Sequence, residues 1–406
     1  MADWSELQYD MLVLIGKRIN MIEDYLNFAS VCKSWRLAAT KNNFNSDMPR
    51  VPWLMLAEEE DSECNSCRQF FSLYNGMILK KRIPKAKEKR CMESMGWLIT
   101  VGKDEGEINL LHPFSGVQIE LPHQNTTEDY DTLHQLRDLW TYFHKAVLSA
   151  SPSQTSDYVL MVIEGNMKFL SFWRPGDLRW TRIEKQPLHV PHRDVIYFNG
   201  KFYAVDGWGR ILVCDVTIPD PIQTQIVASL PYEDIRDELY IVESLGSLFI
   251  VVRYGGMLRY VTDDSERIPL TRIQDDDQAI IYDEEYDDDE EKEDEELTYG
   301  TTNFRVFELD LVTCKLKQTK ELGDRALFIG HNASRSVQAS QFPGIKPNHI
   351  YFTDDYWESY LAFEEGGGLD MGVFSLVDGT IIPLPHYQGV SLSPVCPPTW
   401  VTPTLY

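Results

Sequence analysis

Apolar positions recur along this chain with two different periods, and the change falls near residue 50. In the first 40 residues Met11, Leu12, Leu14, Ile15, Ile19 and Ile22 recur at three- and four-residue steps, which predicts a helix with one broad apolar face. Ser5 and Gln8 are spaced as a capping box, hydroxyl and amide each taking an orphan N–H. Gly16 ends or loosens this helix. Asp24 is placed to cap a second short helix carrying Tyr25, Leu26 and Phe28. A third, over about 30–41, puts Val31, Trp35 and Ala39 on one side. Three short helices cannot bury so many large apolar groups among themselves, so part of this surface needs either the following domain or another protein.

After a short apolar strand within 50–56, and from Phe70 onward, the pattern becomes runs of alternating aromatic and β-branched residues broken by turn chemistry. Hairpins are predicted over 108–122, 167–183, 211–216, 304–316 and 371–384. Inner strands are predicted within 158–163, 194–205 and 239–252. Asn199-Gly200 between two strand runs is the strongest single hairpin signal. Successive hairpins are spaced like the blades of a kelch or WD array where no insertion intervenes. The expected fold is therefore mainly β with a small N-terminal α domain: helices over 1–45, then a β-propeller of six or seven blades over 46–406. A β-sandwich array is the alternative.

Composition narrows the function classes. At 43% hydrophobic and 25% charged residues over 406 positions the chain is ordinary for a globular protein. No apolar run reaches the length of a membrane span, and no leader is visible at Met1. A net charge of −25 disfavours non-specific nucleic-acid binding. Residues 275–296 alone carry −14 and have too little apolar surface to order, so an unstructured insertion is expected there. Lys80–Arg90 is a basic run, expected to be a solvated loop, with nuclear-import recognition or an acidic partner as the rival readings.

Seven scattered cysteines, an odd number, argue for reduced thiols in an intracellular compartment. Cys64 and Cys67, with Cys91, resemble half a zinc site, but no fourth ligand stands at metal spacing, so free thiols are expected and no metal or cofactor. No catalytic signature of the Walker, Gly-x-Ser-x-Gly or His-Glu-x-x-His kind occurs.

The first 40 residues resemble an F-box of the plant type. Trp4, Ser5, Leu7, Asp10, Leu12, Ile15, then Asp24, Leu26, Phe28, then Val31, Cys32, Trp35 and Arg36 match its pattern in order and spacing. Gln8 stands where that family usually has proline and lacks the preset φ that proline supplies. The remainder resembles the KIB type of plant F-box protein, through Gly96-Trp-Leu, Leu111-His-Pro-Phe-Ser-Gly, Phe198-Asn-Gly-Lys-Phe-Tyr-Ala-Val and Ile350-Tyr-Phe-Thr-Asp. That resemblance implies a kelch-like propeller. It also implies a non-catalytic subunit of a Skp–cullin–F-box ubiquitin ligase. Leu7, Gln8, Leu12, Ile15, Val31, Cys32 and Trp35 would serve the Skp-type adaptor, a cullin would be reached through that adaptor, and a protein substrate would be held by the propeller. Nucleus and/or cytoplasm is the expected location, with no membrane partner. A scaffold or decoy using the adaptor outside a ligase is the first rival, and a propeller enzyme the second.

Overall fold

A computed structural model of the chain describes all residues except 1–3, 20–21, 45–49, 59–65, 129, 131–138, 184–189, 217–223, 237, 261–266, 270–296, 362–365 and 405–406. The expected acidic insertion and Cys64 lie outside the described residues. What is described is a ring of six sheets, five of them wholly antiparallel, preceded by three short helices.

Each sheet is a blade. From the axis outward, blade 1 holds Thr399–Val401, Trp53–Met55, Cys67–Phe71 and Ile78–Arg82. Blade 2 holds Lys89–Ser94, Trp97–Gly102, Ile108–Leu111 and Gln118–Glu120, and blade 3 holds Phe143–Leu148, Leu160–Glu164, Phe169–Trp173 and Thr181–Arg182. Blade 4 holds His192–Phe198, Lys201–Asp206, Arg210–Cys214 and Gln225–Ser229. Blade 5 holds Glu238–Ser244, Ser247–Tyr260, Leu297–Asp310 and Lys315–Thr319, with Arg267–Pro269 added beside the long second strand. Blade 6 runs Arg335–Gln338, Arg325–Ile329, His349–Phe352, Gly372–Ser375 and Ile381–Ile382, and departs from strict antiparallel order because Arg325–Ile329 and His349–Phe352 are parallel.

The C-terminal strand closes the ring. Thr399–Val401 pairs antiparallel with Trp53–Met55, so the first blade is built from both ends of the propeller. Closure removes the sheet edges that an open array would leave. Between neighbouring blades lies an apolar cluster, and there is one such cluster at each of the six junctions. Strands buried on both faces explain why runs such as Leu239–Val242 read as continuous apolar stretches.

In blades 2, 4 and 5 one turn type joins the first strand to the second. Met95-Gly96, Asn199-Gly200 and Leu245-Gly246 all have two consecutive positive φ values, near 50° and 80°. This is the type I′ geometry that matches strand twist. At blade 2 the glycine is also required sterically, since a Cβ on Gly96 would lie 2.1 Å from Thr404 Oγ1.

The expected six or seven blades resolve to six. Two local expectations do not hold. Lys80–Arg90 is not a solvated loop: it spans the end of the outer strand of blade 1, a turn at Pro84–Ala86 and the start of the inner strand of blade 2. Its charges are disposed by strand alternation, Lys89 pairing with Glu107 at 2.6 Å and Arg90 turning inward to full burial. Cys67 is disulfide-bonded rather than a free thiol, because an odd cysteine count says nothing about which sulfurs come close in space. Cys32, Cys91, Cys214, Cys314 and Cys396 are free.

Candidate functional site

The three N-terminal helices are α1 (Tyr9–Gly16), α2 (Ile22–Ser30) and α3 (Lys33–Ala38), preceded by one 3-10 turn at Trp4–Glu6. Gly16 ends α1 as expected. The capping box does not form where it was expected. Tyr9 is the first helical residue, so Gln8 is itself the N-cap, and its side chain makes no capping hydrogen bond. Gln8 holds φ −60°, inside the window that proline would impose. α2 begins two residues before Asp24, and α3 is shorter than expected, which leaves Val31 in the turn between them.

Leu12, Phe28 and Ala38 form the buried centre of this unit, with Leu7, Val13, Ile15 and Trp35 packed around it. The Phe28 and Trp35 rings lie 4.8 Å apart. Trp35 Nε1 donates to the carbonyl of Trp4 across 3.0 Å and so pins the N-terminal turn onto α3. Tyr25 donates its hydroxyl to the Thr40 carbonyl at 2.7 Å, and burial, followed by the nearby Tyr9, raises its pKa to about 12. It therefore stays a neutral donor.

A second side of the unit is spent on the propeller. Ile22, Tyr25 and Phe44 share one apolar cluster with Trp53, Phe70 and Leu98 of blades 1 and 2, and the Tyr25 and Phe44 rings lie 4.7 Å apart, tilted by 47°.

A third set remains in solvent. Trp4, Tyr9, Met11, Leu14, Val31 and Leu37 are 49–64% exposed. Six of the 21 exposed large apolar side chains among the described residues thus fall in the first 40 positions. Soluble chains rarely concentrate such groups without a partner for them.

The seven residues singled out from sequence therefore divide. Leu7, Leu12, Ile15 and Trp35 come together as the unit's own core, Leu12 with no exposure. Cys32 is the N-cap of α3, half-buried, and Gln8 and Val31 face solvent. Met11, Leu14 and Leu37 are the outward groups that sequence reasoning did not separate. A signal for them existed. At about 100° per residue Leu12 and Leu14 lie roughly 200° apart, so they cannot share one face of α1.

A family model of the KIB1-4 beta-propeller matches residues 70–375. The whole chain is similar to the F-box protein SKIP23 of Arabidopsis thaliana, 27% identical over 99% of this chain and 96% of that protein. The Arabidopsis thaliana protein named Putative F-box protein At5g55150 is 24% identical over 99% and 98%. An F-box/kelch-repeat protein of the same plant, At1g57790, is 25% identical over 53% of this chain and 57% of its own length. With six blades in place and the family match running from blade 1 into blade 6, the chain belongs to the KIB1-4 beta-propeller family, alongside plant F-box proteins.

Proposed function

We propose that this protein is the substrate-recognition subunit of a Skp–cullin–F-box ubiquitin ligase, working in the nucleus and/or cytoplasm. The observation that carries this reading is the division of the helical unit's apolar residues. One set forms its own core, one set is covered by blades 1 and 2, and Trp4, Tyr9, Met11, Leu14, Val31 and Leu37 are left outside. A helical cap serving its own propeller alone would leave no such third set. The relatives' F-box names support the same reading.

In this role the protein breaks and makes no bond. The outward groups anchor a Skp-type adaptor and, through it, a cullin. The propeller holds a protein substrate, and because α2 packs directly on blades 1 and 2, the substrate is held at a restricted distance from the bound adaptor. The catalytic gain is proximity: a lysine of the substrate is kept at high effective concentration near a charged ubiquitin-conjugating enzyme.

Affinity purification of the full chain from plant cells with the proteasome inhibited tests the assembly. Recovery of both adaptor and cullin, with ubiquitinated co-purifying protein, is expected. Recovery of adaptor without cullin would replace the ligase reading with a scaffold or decoy.

A further inference from the structure

The inner strands of blades 2 to 5 all open on charged or titratable residues: Lys89-Arg90, His144-Lys145 after Phe143, His192-Arg193, and Glu238. Neighbouring inner strands pack side by side around the axis, so these openings gather at one end of the channel. There they line a cavity of about 40 Å³, together with Gly330 and His331, from the segment joining Arg325–Ile329 to Arg335–Gln338 within blade 6, and with Asp355 and Trp357. The walls carry four cations, Arg90, Lys145, Lys168 and Arg193, against two carboxylates, Glu238 and Asp355. Asp355 is engaged elsewhere, ion-paired with Arg253 and accepting from the Tyr240 hydroxyl at 2.8 Å, and Lys145 is likewise committed, ion-paired with Asp194 at 3.1 Å and donating to the Gly330 carbonyl at 2.9 Å.

Among the described residues of this wall, His331 has a buried donor with no acceptor, and Arg90 has a guanidinium whose one side-chain contact is with His331. Arg90 is 3% exposed, and among the described residues no carboxylate lies within ion-pair distance of it. A guanidinium has five N–H donors and no acceptor. Arg90 Nη2 lies 3.4 Å from His331 Nδ1, so in that contact Nδ1 must accept. The neutral ring then carries its proton on Nε2. Burial first, then the neighbouring Arg90 and Lys145, hold the ring neutral by driving its pKa well below the ordinary value. His331 Nε2 is thus a donor, on a side chain 6% exposed, and it has no hydrogen-bond partner. Buried donors without acceptors are costly and rare in native structures.

We propose that the axial cavity is a binding site for a small oxyanion of the phosphate type, received by Arg90, His331 and Lys168 with Arg193 as surrounding positive charge. An oxyanion presents several acceptor oxygens to a wall made of donors, and arginine takes phosphate or carboxylate oxygens in pairs. Water would offer only two acceptor positions. The volume exceeds the roughly 10–15 Å³ needed for one water and suits a single phosphate group, not a nucleotide. The site uses none of the outward apolar groups of the helical unit.

The test is titration calorimetry of inorganic phosphate into the full chain, at ionic strength matched with chloride, for the native protein and for Arg90→Gln, Lys168→Gln and Lys201→Gln. Lys168 is half-buried at a turn, so its variant keeps the test valid where the Arg90 variant fails to fold. Lys201 is exposed on blade 4, away from the cavity, and serves as control. Saturable binding is expected, weakened roughly tenfold or more by either cavity variant and unchanged by the control. Absence of saturable binding above the chloride baseline, or binding by both cavity variants equal to that of the native chain, overturns the proposal. A second arm identifies the natural source. Displacement of phosphate by a phosphoserine peptide, and not by its unphosphorylated form, assigns the group to a bound protein. Displacement by a small phosphate monoester alone assigns it to a free ligand.

Discussion

Arg253 Nη2 donates to Asp370 Oδ2 across 2.7 Å at almost complete burial, joining the second strand of blade 5 to the segment that enters the fourth strand of blade 6. The same guanidinium pairs with Asp355, donates to Thr301 Oγ1 at 2.6 Å and to the Tyr240 hydroxyl at 2.9 Å, and lies 4.7 Å from the Tyr356 ring centre. Burial alone would lower its pKa, but Tyr240, Asp370 and Asp355 hold it well above the ordinary value. Removing one member of such a group leaves charges buried and unpaired. Arg253→Met is therefore expected to destabilise the propeller by about 3–5 kcal/mol, read as a lowered midpoint in denaturant unfolding. A change below about 1 kcal/mol would show that the network is better hydrated than its burial indicates.

Gln8→Pro is expected to tighten the adaptor complex by about 0.4–1 kcal/mol. Gln8 already holds φ −60° and its side chain caps nothing, so proline removes freedom from the unbound chain without removing a capping bond. Calorimetric titration of the two forms with the adaptor decides the matter, and weaker binding by the proline form would refute the argument.

Leu12→Ala is expected to cost the helical unit about 2–5 kcal/mol, because Leu12 is fully buried beside Phe28 and Ala38. Loss of adaptor binding in that variant reports unfolding of the unit, and circular dichroism should show it. An intact unit with lost binding would instead put Leu12 on the interface.

The oxyanion proposal has a pH signature. Burial, then repulsion by Asp355, raises the Glu238 pKa to about 8, against the pull of Lys168, Arg193 and Arg253. Below pH 8 Glu238 is neutral and the cavity keeps its positive excess. As pH rises through about 8 a negative charge appears beside the site, so affinity for sulfate, whose own charge is constant there, should fall severalfold. Glu238→Gln should flatten the profile. The folded pKa exceeds the roughly 4.3 of an unfolded glutamate, so this group's stabilisation is complete below that value and is lost as pH rises toward 8. Glu238→Gln should accordingly raise the melting temperature at pH 9 relative to the native chain.

Replacing residues 275–296 by a short Gly/Ser linker is expected to change the melting temperature little, since closure entropy varies slowly with loop length. The cut must stop before Leu297, because Tyr299 is buried and donates to Asp354 Oδ2 at 2.5 Å. A large loss of stability would show that residues of the acidic stretch belong to blade 5.

Much of the ring was legible because a propeller repeats one hairpin. The predicted runs over 108–122, 304–316 and 371–384 each contain the two expected strands. Blade number was not legible, since blade 1 takes its inner strand from Thr399–Val401 across nearly the whole chain. Asn199-Gly200 announced its turn, yet Met95-Gly96 and Leu245-Gly246 adopt the same geometry with side chains that carry no turn preference. There the flanking strands impose the conformation. In the helical unit, spacing located Leu12 and Trp35 but could not say which apolar groups the propeller would cover. The axial charges were visible only as isolated basic residues at strand starts. Their convergence is a property of ring closure, which no local window contains.

The central claim rests on Leu14 and Val31, exposed by 54% and 56% and absent from the unit's buried core. The most direct measurement is calorimetric titration of a purified Skp-type adaptor into the full chain and into its Leu14→Asp/Val31→Asp form, with melting temperatures recorded in parallel. Central apolar anchors at such interfaces typically contribute about 2 kcal/mol or more each, so the account predicts at least a hundredfold weaker binding by the variant at an unchanged melting temperature. Equal affinity of the two forms would contradict it.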